Sequence, residues 1–123
     1  MSKMNSAADR DRRRLIDATR GRDMIWGFTI GIFGNLFTLY IISQGGDLPK
    51  LAISAAVVGM FVFVMINSFD VMDDFKANIE DMDEDEAATN LGKRFKEAPW
   101  GIFKGAVTLI FGAFAVTQLL EIW

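Results

Sequence analysis

A chain of 123 residues is one domain by length, yet 51% of it is apolar and 24% charged, with the charges gathered into blocks rather than spread as on a soluble surface. Neither Cys nor His occurs, which excludes disulfides, thiolate nucleophiles, Cys/His zinc sites, imidazole acid/base chemistry and His-ligated haem. The net charge of -3 comes without the clustered basic face that nucleic acid requires, so no nucleic-acid partner is expected.

Residues 1–23 form a basic arm carrying Lys3, Arg10, Arg12, Arg13, Arg14, Arg20 and Arg22. Ser6 followed by Asp9 reads as a capping box that opens a short surface helix, expected to run to about Arg20 and stop at Gly21. Asp9 with Arg13, and Arg13 with Asp17, fall at i,i+4 spacing. Such a helix would lie against anionic headgroups and fix topology.

Residues 24–43 carry no charge, and a helix of that length covers about 30 Å, the thickness of a bilayer hydrocarbon core. Trp26 and Tyr40 sit near its two ends, where amphipathic rings settle at membrane interfaces. The following Gln44-Gly45-Gly46-Asp47 offers no small-x-small cleavage site, so an uncleaved anchor is expected, and no cleavable segment follows the Arg12-Arg13 pair. Residues 44–50 make a tight turn, with Gly45 suited to a helix end and Pro49 to a first helical turn. A second span follows over residues 51–69, antiparallel to the first.

Residues 70–99 are acidic and then basic. Nine carboxylates fall between Asp70 and Glu86 against the single Lys76, and Lys93, Arg94 and Lys96 then reverse the sign. Met72, Phe75, Ile79 and Met82 recur at three- and four-residue spacings, which extends the second helix beyond the span with one apolar stripe. That stripe needs a cover: the N-terminal arm, residues 91–95, or a docking partner protein. Asp81, Asp83 and Asp85 imitate the start of a calcium loop, but Glu86 stands where the turn needs Gly, and Gly92 where the loop needs Glu. No metal site is assigned, and no cofactor or catalytic residue. The third span covers residues 100–123, bracketed by Trp100 and Trp123, with Lys104 one turn inside.

None of the three runs has the polar face that a helix of a small soluble bundle needs. The expected fold is therefore an all-α membrane protein with three transmembrane helices. The basic residues place the N-terminus in the cytoplasm and the C-terminus outside, since Lys50 is the one basic residue in the turn between spans one and two. A prokaryotic inner (plasma) membrane is the expected location.

Within the spans Asn35 is the one strongly polar residue read at mid-membrane depth, level with Gly59 and Gly112. Gly27 and Gly31, Ala55 and Gly59, and Gly101 and Gly105 are small-xxx-small pairs that let helix backbones approach in lipid. Asn35 is expected to hydrogen-bond across this layer, contributing about 0.6–2 kcal/mol, or else to line an oligomeric pore.

The apolar runs, the third taken from Trp100 to Leu120, hold no Asp, Glu or Arg, whereas ion-coupled transporters keep an ionisable group at membrane depth. The loop carboxylates lie consecutively, with no paired base. The expected function is a non-catalytic accessory or structural subunit that assembles or stabilises a larger membrane complex, with lipids and other integral membrane proteins, or further copies of itself, as partners. The alternative is a small homo-oligomeric pore former. Three spans in a short chain resemble the general plan of phage holins, but the N-inside orientation runs opposite to the three-span holin arrangement and no residue motif matches. A transporter or an enzyme is the remaining class.

Overall fold

The computed structural model describes residues 6–123; the first five residues, Lys3 of the basic arm among them, lie outside it. Ser6 opens α1 (Ala7–Ser43). Its hydroxyl accepts the Asp9 N–H at 3.1 Å while its own N–H donates to the Asp9 carboxylate at 3.3 Å, a reciprocal capping box. The stop expected at Gly21 does not occur, and among the described residues the arm forms no helix separate from the first span: α1 runs unbroken through Gly21 into the apolar run. A helical Gly costs about 1 kcal/mol relative to Ala. At Gly21 a neighbouring helix offsets that cost, with the Phe75 ring 3.8 Å from where a Cβ would stand.

α1 ends where the sequence loses its apolar period. Gly45 and Gly46 adopt φ of 67° and 81°, the left-handed region that Gly enters without strain, and reverse the chain. Pro49 then caps α2 (Lys50–Glu80), which continues well past its apolar run. Asp83 caps the single turn of α3 (Glu84–Ala87), accepting the Glu86 N–H at 2.7 Å. Thr89 caps α4 (Asn90–Lys96) by accepting the Gly92 N–H at 3.0 Å. Pro99 starts α5 (Trp100–Ile122).

α1, α2 and α5 are long and apolar enough to cross a membrane. Only 22% of each apolar window is buried inside the chain, so most of the apolar surface faces outward. At 1.5 Å per residue α1 and α2 measure about 55 and 46 Å, against about 35 Å for α5 and about 30 Å for a bilayer core. The surplus of α1 and α2 lies at one end of the bundle and carries most of the charge. α2 lies between its neighbours, meeting both α1 and α5 along their length, while α1 and α5 touch less. Near the opposite, turn end Ile53 and Val57 of α2 close on Ala115 and Ile122 of α5, with Ile41, Ile42 and Leu48 around them.

Candidate functional site

Two polar assemblies organise the bundle, one inside the apolar region and one at its charged end. In the first, Asn35 and Gln118 are 3% and 2% exposed, so every polar atom must find its partner within the chain. The Gln118 amide donates to Asn35 Oδ1 at 2.7 Å and to the Phe114 carbonyl at 3.2 Å. Asn35 Nδ2 donates to the Gly31 carbonyl at 2.7 Å. The Thr38 hydroxyl lies within reach of the Asn35 carbonyl, at 3.0 Å, and of Gln118 Oε1, and its one proton serves one of them at a time. Three side chains from α1 and α5 thus form a closed hydrogen-bonded clasp.

Gln118 is the member that sequence reasoning overlooked. Five residues from the end of a span, it reads as an interfacial polar group. The signal was its spacing: Phe111, Ala115, Gln118 and Ile122 mark the buried face of α5 at intervals of four, three and four.

The glycines divide by direction. Gly27 makes room for the Asn67 amide, which donates to the Asp23 carbonyl at 3.3 Å. A Cβ on Gly31 would stand 2.6 Å from Val64 Cγ2 and 2.9 Å from the Phe111 ring, and one on Gly34 would meet Met60. α1 therefore presents Gly27, Gly31 and Gly34 to α2 as a smooth face; Gly34 was not among the expected positions. Phe111 also stacks on Phe28, centroids 5.9 Å apart. Gly112 meets Phe61 of α2 at 3.7 Å. Gly59, Gly101 and Gly105 are exposed, with nothing within 4 Å of a Cβ, so within this chain they bring no helices together. Ala55 is exposed as well.

The second assembly joins the projecting parts of α1 and α2 and clamps α3 over them. The Asn78 amide donates to the Arg13 carbonyl at 2.9 Å and to Asp17 Oδ1 at 2.6 Å. Arg20 bridges the two helices, 2.9 Å from Asp23, 2.6 Å from Asp70 and 2.8 Å from Asp74. Arg10 pairs with Asp83, and the buried Arg13 with Glu86. Lys104 of α5 pairs with Asp73. Burial pushes the Asp17 carboxyl above the usual carboxylate range, against the pull of its bond from Asn78. The Arg10 guanidinium holds Asp83 below that range, and the Ser6 hydroxyl does the same for Asp9.

The apolar stripe turns onto the chain itself. Met72 is buried, and Phe75, Ile79 and Met82 are half-buried. Phe75 lies 5.7 Å from the Trp100 ring, and with Ile79, Phe95 and Ala18 these rings border an apolar cavity of about 290 Å³ that Asp17 closes at one side. Asp83 is committed to its cap and to Arg10 rather than grouped with Asp81 and Asp85. Among the described residues no set of three or more acidic side chains is placed to hold a metal ion.

No protein-family model, curated protein or solved structure matches this chain. Hydrogen bonds and ion pairs join its helices at both assemblies, within a surface that remains apolar over three spans.

Proposed function

We propose that this protein is a non-catalytic accessory or structural subunit of a larger integral membrane complex, acting in its assembly or stabilisation. Its N-terminus is cytoplasmic and its C-terminus external, in a prokaryotic inner membrane. Support comes from Gly59, Gly101 and Gly105, which stand open on the lateral surface while the glycines of α1 are used inside the bundle. Glycine lowers helix stability and gives lipid nothing to grip; its use on a transmembrane surface is to admit another helix closely. The apolar stripe of α2 is partly covered within the chain, with Met72 buried and Phe75 against Trp100, so the lateral face within the bilayer is the partner surface this reading favours.

Purification from native membranes in mild detergent tests this reading. Larger integral proteins in fixed ratio are expected, and Gly59→Leu with Gly101→Leu should reduce that ratio at least about tenfold, the effect of losing roughly 1.4 kcal/mol of association. A ring of identical chains would instead favour the homo-oligomeric pore. A lone monomer, unaffected by either substitution, contradicts both readings.

A further inference from the structure

Lys76 and Lys96 stand beside a groove between the projecting end of α2 and the α4–α5 junction. We propose that this groove binds the headgroup of an anionic phospholipid. It encloses about 360 Å³, walled by Ile79, Phe95 and Trp100, with Glu80 the carboxylate on its rim.

Four observations converge. First, the other cations deeper in the charged end, Arg10, Arg13, Arg20 and Lys104, are engaged with carboxylates. Among the described residues Lys76 and Lys96 have no ion pair, and the Trp100 indole N–H has no acceptor. The two ammonium groups at this groove are thus exposed and carry no carboxylate partner. Second, the depth is right. Lys76 lies seven residues past Phe69, about 10 Å beyond the apolar run along the helix axis. The headgroup layer extends about 5–8 Å from the hydrocarbon, within reach of a Lys stem leaning back toward it.

Third, the α4 side of the groove is basic. α4 carries Lys93, Arg94 and Lys96 and no acidic side chain. Against them Glu80 opposes binding, and it sets a limit on affinity. Fourth, the groove shares Ile79, Phe95 and Trp100 with the apolar cavity described above. A free phosphate has no apolar portion to bury there, whereas the glycerol backbone of a phospholipid does.

The proposal rests on the membrane placement above, so insertion is scored separately, by carbonate-resistant retention of each variant in membranes. Full-length protein in mild detergent is titrated with phosphatidylglycerol and with phosphatidylcholine, and the bound lipid is counted by native mass spectrometry. Tighter binding of phosphatidylglycerol is expected. Lys76→Gln and Lys96→Gln should each weaken it about fivefold, the value of one lysine near an anionic lipid. Phosphatidylcholine binding should stay unchanged, and Glu80→Gln should strengthen phosphatidylglycerol binding. Equal affinity for the two lipids overturns the proposal, as does a Lys76→Gln/Lys96→Gln variant that is inserted yet keeps the wild-type preference. Two further results overturn it: displacement of the lipid by inorganic phosphate, and an equal loss in Lys93→Gln/Arg94→Gln, which would mark a diffuse surface charge.

Discussion

Asn35 and Gln118 show how one pair of amides fixes the register of a helix in lipid. Removing either side chain leaves the other with donors or acceptors that hydrocarbon does not satisfy, so α5 has one position along α1 at which the clasp closes. Asn35→Leu and Gln118→Leu are each expected to lower stability by about 1 kcal/mol in thermal unfolding at fixed detergent. The double substitution should cost less than the sum, because it removes the orphaned partner as well. Strict additivity would mean that the two amides do not interact. Asn35 was legible in the sequence because a single amide in an uncharged run is conspicuous. Its partner was not, since the pairing of positions separated by 83 residues depends on how far α5 slides along α1.

Among the elements, α3 and α4 depend most on charge. α3 is a single turn and α4 has seven residues, too short to be stable alone, and both are held by caps and by the pairs from Arg10 and Arg13. Asp83 sits below the ordinary carboxylate range because Arg10 favours its charged form. A depressed carboxyl contributes stability above its unfolded value, near 3.8, and loses it as pH falls through the lower folded value. Amide hydrogen exchange should therefore show α3 and α4 protected at neutral pH and released only below the usual carboxylate titration. Asp83→Ala should release them already at neutral pH; unchanged exchange there would show that apolar contacts alone hold the segment. Asp17 acts in the opposite sense: its raised pKa makes its charged form a small burden that grows as pH rises through the folded value.

The ends of these elements were partly readable. The reversal at Gly45 and Gly46 and the extension of α2 follow from turn chemistry and a 3.6-residue apolar period. The continuity of α1 through Gly21 does not. A glycine marks a helix end only where nothing alongside sustains the helix, and here the α2 extension does, as sequence spacing alone does not reveal. In the same way small-xxx-small spacing identified smooth helix faces without saying whether each faces inward, as Gly27 and Gly31 do, or outward, as Gly59, Gly101 and Gly105 do.

In the whole molecule, three apolar helices share one highly charged end and one nearly uncharged end. Of the 13 Lys and Arg residues, Lys50 alone lies at the turn end of the bundle, as the first residue of α2, where it rests 5.3 Å from the Trp123 ring centre. The others lie before α1's apolar run, along the α2 extension and α4, or at the start of α5. That asymmetry supports the proposed orientation, with the charged end cytoplasmic. Because the natural chain has no Cys, single cysteines report position without background. The decisive measurement is labelling of Asp11→Cys, Gly46→Cys, Glu84→Cys and Leu36→Cys by a membrane-impermeant maleimide in right-side-out and inverted vesicles. Gly46→Cys is expected to label from outside, Asp11→Cys and Glu84→Cys from the cytoplasmic face, and Leu36→Cys from neither. Labelling of Gly46→Cys and Asp11→Cys from the same face, or of Leu36→Cys from water, would contradict this arrangement.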